Sequence, residues 1–276
     1  MWRRKLRRGL RVMALGAYLA FAVLPIFWVV RMAVTPKRLL YSSGDRLWPV
    51  QSTIENFSYV LSRTQFPIYF KNSLLVAVVT SLATTAIATL AGYALSRFRF
   101  RGKTAFLILL LASQLFPLVM IIAPIFRIFV PLGLADNVWG LVVVYTAFNA
   151  AFANFLMQSF FDSIPIELDE AAMIDGCTRL QALLKVVFPL TLPGMAATLG
   201  FVFTAAWSEL LFALMLINSE SQKTFAVGLL GFISKAGVNW GQMMAASTLA
   251  LIPVVVFFAL ISRYLVQGLT AGAVKG

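Results

Sequence analysis

Enzyme chemistry has few footholds in this sequence. It has no histidine, and Cys177 is the only cysteine in 276 residues. One thiol cannot form an intrachain disulfide, and without histidine neither a zinc site nor a redox pair has its usual ligands. Acids are scarce too, with 10 Asp and Glu against 23 Lys and Arg. Glu167, Asp169, Glu170 and Asp175 crowd into one short segment. Glu209 instead stands inside an apolar run, where an ionisable group is costly and is by default a functional candidate. A proton relay would need a partner for it, and the apolar runs offer no His and no second acid. Glu209 is therefore read as structural or as lining a pathway. The amides Asn149, Asn154 and Gln158 suit either gluing helices together or lining a polar path. Gly102-Lys103-Thr104 imitates the end of a phosphate-binding loop, but Arg97 occupies the place of its first glycine and no strand precedes it. No catalytic residue, metal site or bound cofactor is expected, and the chain is not expected to be an enzyme.

The elements that must carry these residues follow from composition. Hydrophobic residues make up 61% of the chain and charged ones 12%. One soluble core cannot absorb that excess, so a bilayer is the better solvent. Six apolar runs approach the roughly 20 residues of a spanning helix: 13–34, 72–95, 104–126, 136–159, 191–217 and 243–266. The fold class expected is an all-α integral membrane protein with six transmembrane helices. Residues 1–12 form a basic N-terminus and 13–276 a single membrane domain. The first run is too long for a signal-peptide core and lacks a cleavage site, so it is read as a retained span. Pro117 and Pro124 should kink the third. The second is rich in small residues from Ala77 to Gly92, which favour close helix packing.

The net charge of +13 sits largely in two blocks, Arg3 to Arg11 and Arg97 to Lys103. Both abut apolar runs, where cytoplasmic anchoring explains them better than nucleic acid does. They put both termini and the 160–190 segment in the cytoplasm. Segments 35–71, 127–135 and 218–242 then lie outside, although Lys37, Arg38, Arg46, Arg63 and Lys71 weaken the bias. Arg127 is expected to snorkel to the outer interface. Asn56-Phe57-Ser58 matches a glycosylation sequon by coincidence.

The 160–190 segment carries the strongest local pattern. Pro165 suits a first helical turn, and the acids that follow complement its dipole. Ile164, Leu168, Ala171, Ala172 and Ile174 are expected to share an apolar face. Asp175-Gly176 stops this helix, with Gly176 suited to positive φ. Leu180, Leu183, Leu184 and Val187 mark a second short helix, which Pro189 should end. Such a helical hairpin is marginal alone and must pack on its own spans or dock into another protein.

Glu170-Ala171-Ala172, Gly176, and Val186, Phe188 and Pro189 resemble the EAA signature of importer-type ABC-transporter permeases, with Val and Phe in place of Ile and Leu. Trp207-Ser208-Glu209 with Leu211 to Leu214 resembles the fifth span of maltose-type sugar permeases, and Thr224 to Leu229 resembles their external loop. The tail from Gly268 resembles that of the subunit without the long periplasmic insertion. The likeness covers about residue 70 to the end. It implies a cytoplasmic coupling helix-turn-helix that inserts into an ATPase, through Glu170, Ala171, Ala172, Asp175, Gly176 and Pro189. It makes Asn149, Asn154 and Glu209 candidates for the pathway. Phe232, Lys235, Asn239 and Trp240, in the external loop 218–241, become candidates for contact with an extracytoplasmic solute-binding protein. Gly272, Val274 and Lys275, in the cytoplasmic tail 267–276, become candidates for contact with the ATPase. The tail itself is too glycine-rich to stand as structure. The partners implied are a second homologous permease, an ATPase dimer holding ATP and Mg, the binding protein and a carbohydrate, in a bacterial or archaeal cytoplasmic membrane. The alternative is a secondary transporter or channel working alone, which explains the spans and Glu209 but has no need of the hairpin.

Overall fold

Apolar runs of this length fold as helices because lipid offers backbone amides no partner, so each segment must satisfy its own. The computed structural model describes residues 2–40, 47–235 and 237–273. In chain order the helices are α1 (Trp2–Ala33), α2 (Glu55–Arg63), α3 (Phe66–Arg97), α4 (Lys103–Gln114), α5 (Leu118–Phe129), α6 (Val138–Asp162), α7 (Glu167–Ile174), α8 (Arg179–Ala182), α9 (Phe188–Ser208), α10 (Leu211–Leu216), α11 (Phe225–Leu229) and α12 (Trp240–Ala273). A short antiparallel hairpin, β1 (Ile233–Ser234) with β2 (Gly237–Val238), pairs Ile233 with Val238. Helix α12 continues well past Arg263, so the backbone of the expected unstructured tail is helical as far as Ala273. Val274 and Lys275 lie outside the described residues, as do the side-chain surroundings of Gly272.

Among the described residues, five stretches are long and apolar enough to cross a membrane: Gly9–Ala33, Phe66–Arg97, Val138–Asp162, Arg179–Ser208 and Trp240–Tyr264. The run expected as a third span is broken rather than kinked. Its halves, α4 and α5, meet at 102°, and only together would they make a sixth span. Pro117 sits at the break with extended backbone, φ −60 and ψ 125. A proline has no amide to donate and pushes its predecessor out of the helical region, so the helix must restart after it.

The run expected as the fifth span is corrected at both ends. Pro189 does not end a short helix, because one helical stretch runs from Arg179 to Ser208. A π-helical turn over Leu183–Val187 lets it pass, the Phe188 amide bonding Leu183 O five residues back. The wider turn absorbs the missing donor and the bulk of the ring. At the other end the helix stops at Ser208. Glu209 is extended, φ −69 and ψ 129, and α10 begins two residues later.

The chain divides into two units. In the first, Met1–Pro67 with Gly228–Ile252, Asn56 Nδ2 donates to Ala33 O at 2.8 Å and Thr35 O at 3.0 Å, tying α2 to the end of α1. The sequon's asparagine is thus a buried structural donor. None of the apolar window of α1 is buried within the chain. The second unit is Ile68–Val227 with Pro253–Gly276. Its core joins Ala88 and Tyr93 of α3, Ala153, Met157 and Phe161 of α6, Leu183 and Val187 of the π turn and Val202 of α9. Small residues let α3 approach α6 closely. A Cβ on Gly92 would lie 2.8 Å from Met157 Cβ and 2.9 Å from the Gln158 amide, so this contact requires glycine.

Candidate functional site

The 163–189 hairpin has two unlike faces. Gly176 turns the chain between α7 and α8 with φ +88, a conformation that costs glycine little and other residues more. Thr178 and Gln181 then start α8 with a reciprocal capping box. The expected apolar face divides. Ala172 turns inward beside Ala182, Leu183 and Val187, whereas Ile166, Leu168, Ile174, Leu180 and Leu184 are exposed, Ile174 by 86% and Leu180 by 63%. Glu170, Ala171, Asp175 and Pro189 lie on the exposed side.

The inward face holds a charge that periodicity did not reveal. Asp169 is buried. Its Oδ2 accepts from Arg97 Nε at 2.9 Å, each side chain 6% exposed, and its Oδ1 accepts from Tyr93 OH at 3.0 Å. Arg97 Nη2 also donates to Ile164 O at 2.9 Å. Ser96 Oγ donates to Asp162 Oδ1 at 2.5 Å, and the Arg179 guanidinium lies 5.1 Å from the centre of the Phe98 ring. Counting Arg97 with the basic loop obscured its separate role, since a charge block reads as solvated until a partner is seen. The one available signal was Asp169, an acid on the side of α7 that carries Ala172.

A second site forms where two helices are interrupted. A cavity of about 330 Å³ is lined by Ser113, Gln114, Phe116 and Leu118 at the α4–α5 break, Tyr145, Phe148 and Asn149 of α6, and Ala205, Glu209 and Phe212 at the α9–α10 break. Irregular backbone at membrane depth is tolerated where it lines such a cavity. Glu209 holds its break together. Oε1 accepts from the Phe212 amide at 3.0 Å, and Oε2 from the Ala213 amide at 3.3 Å and Tyr145 OH at 2.5 Å. Among the described residues, neither ion pair involves Glu209.

Of the amides read as pathway candidates, Asn149 lines this cavity, its Nδ2 bonded to Tyr145 O at 2.8 Å. Asn154 does not. It is buried in the helix packing with its Oδ1 unpartnered, because its position turns it toward neighbouring helices. Among the described residues, no cluster of three His, Cys, Asp or Glu is placed to hold a metal ion.

The segment read as an external loop is tied down in its first half. Asp136, at φ 55, accepts from the amides of Asn218 at 2.9 Å and Ser219 at 2.7 Å and from Ser219 Oγ. Those bonds, the hydroxyl first, hold its carboxyl below the usual range. Glu220 is likewise held low, by Lys223 and then by the Tyr69 hydroxyl. Asn72 Nδ2 donates to Ser221 O and Lys223 O, both at 2.9 Å. In the second half Phe232 is buried and so is not an exposed contact residue; Lys235 and Trp240 are exposed and Asn239 is half-buried.

Against known proteins, residues 85–271 match the family described as binding-protein-dependent transport system inner membrane component. The inner membrane ABC transporter permease protein YcjP of Escherichia coli is 35% identical over 264 residues, covering 95% of this chain and 94% of that protein. The trehalose/maltose transport system permease protein MalG of Thermococcus litoralis is 36% identical over 272 residues, covering 96% of each. A chain from a bacterial ABC transporter involved in the import of the acidic polysaccharide alginate superposes with a TM-score of 0.79 at 25% identity, covering 94% of this chain and 96% of that one.

Proposed function

Because this chain belongs to the binding-protein-dependent transport system inner membrane components, and is thus a permease rather than the ATPase of an ABC importer, we propose that it pairs with a second homologous permease to form the path for a carbohydrate. The hairpin at 163–189 is its docking element for a separate ATPase dimer, which binds ATP and Mg. The observation that carries this reading is the hairpin's division of labour. One face is locked into the bundle, while Ile166, Leu168, Ile174, Leu180 and Leu184 stand free. An exposed apolar helical ridge of this kind fits a groove in a partner. Glu170, Ala171, Asp175 and Gly176 shape its exposed edge, and Pro189 follows it at the start of α9.

The substrate class rests on relatives named for trehalose, maltose and alginate transport and on the cavity around Glu209. Its mixture of Phe116, Phe148 and Phe212 with Gln114, Asn149 and Glu209 offers ring faces and hydrogen-bonding groups suited to a polyhydroxylated ligand. Lys235, Asn239 and Trp240 form the surface offered to the solute-binding protein, and contact with the ATPases is assigned to Gly272, Val274 and Lys275 of the tail. With α4 and α5 counted as one span the chain crosses six times, so both termini share a side; the basic blocks make that side the cytoplasm. Reporter fusions after residues 50, 100, 175 and 230 then read outside, inside, inside and outside. The deciding experiment is affinity purification of the tagged chain with its neighbours expressed. An ATPase and a second permease co-purify, and Gly176→Val reduces the ATPase yield while membrane insertion persists. A chain that transports without any ATPase would overturn the proposal.

A further inference from the structure

Three side chains on one turn at the end of α3 grip three different parts of the neighbouring chain. Tyr93 bonds Asp169 of α7, Ser96 bonds Asp162 at the end of α6, and Arg97 spans Asp169 and the Ile164 carbonyl. Arg97 stands at a helix C-terminus and Asp169 in the first turn of α7. Each charge therefore complements its own helix dipole as well as its partner. The planar guanidinium fixes orientation as well as distance, because its donors leave in set directions. Exposed pairs are loosened by water and salt; this one is largely withdrawn from both, each side chain being 6% exposed, and it borders a cavity of about 120 Å³. The Tyr93 ring adds edge contacts to Phe98 at 6.2 Å and Phe161 at 5.5 Å. Helix α7 is thus held to α3 on one face and left free on the other.

From this geometry we infer that the Tyr93–Arg97–Asp169 cluster is the positioning joint through which displacement of the hairpin is delivered to α3. The inference rests on the hairpin being the ATPase-docking element. A hairpin held by apolar packing alone would slide or roll against its neighbours. The ion pair with its two flanking hydrogen bonds admits one arrangement, so a push on the free face of α7 moves the end of a 32-residue helix with it.

The test uses the whole importer in liposomes, with its permease, ATPase and binding-protein partners. Asp169→Asn removes the negative charge at nearly constant volume, Arg97→Gln removes the positive charge and shortens the side chain, and Tyr93→Phe removes one bond. The joint predicts that the ATPase co-purifies as in wild type and hydrolysis continues. ATP consumed per substrate imported then rises on the order of tenfold for the charge variants, within the usual range of coupling between sites, and less for Tyr93→Phe. An unchanged ratio, or loss of transport in proportion to lost ATPase yield, overturns the joint and leaves the docking reading intact. Absence of an ATPase from the wild-type complex overturns the docking reading itself. A second measurement needs no variant of the cluster. Spin labels on encoded ketone amino acids at position 90 of α3 and position 167 of α7 keep one mutual distance between nucleotide-free and ATP-trapped complexes. A shift of several ångströms between those states overturns the joint.

Discussion

Two carboxylates are held inside the second unit by unlike means. Asp169 meets a guanidinium, a tyrosine hydroxyl and the start of α7. Glu209 meets a tyrosine hydroxyl and two backbone amides at the start of α10, with no cationic partner among the described residues. In the first arrangement guanidinium and carboxylate neutralise each other, beside a smaller cavity of about 120 Å³. The second caps a break and leaves the carboxylate on the wall of a cavity, where its hydrogen-bonding capacity can be shared. The same residue class therefore serves rigidity at one end of α6 and an open surface nearer its middle, depending on whether a positive charge is buried with it.

Removing the cation should have the largest effect. Arg97→Ala leaves Asp169 buried and unpaired and should cost about 3–5 kcal/mol, read as a fall in the unfolding midpoint of the detergent-solubilised protein. The double substitution Arg97→Met with Asp169→Val should recover part of that loss, since an apolar pair of closer total volume substitutes for a buried ion pair and only the Tyr93 hydroxyl loses its acceptor. If the double variant is as unstable as Arg97→Ala, the cluster is not held by charge compensation.

Glu209→Ala comes next. It strands the Phe212 and Ala213 amides and the Tyr145 hydroxyl, at a cost of about 1–3 kcal/mol in the same assay. Transport should fall further than stability does, because the cavity wall changes as well. Glu209→Gln keeps the shape and should lie between wild type and alanine in both assays. Equal stability of all three proteins would show that the break does not depend on its cap.

The two tyrosines give the sharpest contrast. Tyr145→Phe removes one of three donors to a carboxylate that has no cation, for about 1.5–3 kcal/mol. Tyr93→Phe leaves Asp169 with its guanidinium and should cost only about 0.5–1.5 kcal/mol. A reversal of this order would contradict the roles assigned to the two sites.

The smallest effect belongs to Asp136 and Glu220, the hydrogen-bonded carboxylates of the loops. Asp136 and Glu220 have folded values below the ordinary ones, so their contribution is complete above the unfolded carboxylate range, near pH 4. It is lost as pH falls through the lower folded values. Hydrogen exchange at the Asn218 and Ser219 amides, corrected for intrinsic rates, should show protection that is flat from pH 7 to about pH 5 and declines below about pH 4. Asp136→Asn should remove that decline.

The hairpin was legible in outline because its signals are local. Proline, acids, glycine and spaced leucines each specify a turn or a helix end within a few residues, and Gly176 takes the positive φ they imply. The sense of its faces was less accessible. Periodicity grouped Ile164, Leu168, Ala171, Ala172 and Ile174 on one side, yet the packed hairpin buries Ala172, half-buries Ile164 and leaves Leu168, Ala171 and Ile174 exposed. The spans of α3 and α6 were equally plain, since length and hydropathy suffice. The breaks at Pro117 and Glu209 were not, because a hydropathy window averages across two interrupted residues, and a glutamate inside an apolar run gives no sign that it caps a restarted helix. Pro189 misled for the opposite reason: a π turn accommodated what would otherwise end a helix.

The sequence by itself determined that this is a helical membrane protein with little means for catalysis and with a helical hairpin between its apolar runs, because composition, run length and turn residues act over short distances. The tertiary structure decided the pairing of Arg97 with Asp169 across 72 positions, that of Tyr145 with Glu209 across 64, and the outward ridge of the hairpin. Buried charges are stable only where packing delivers a partner to them, and no local pattern in the chain records which distant residue that will be.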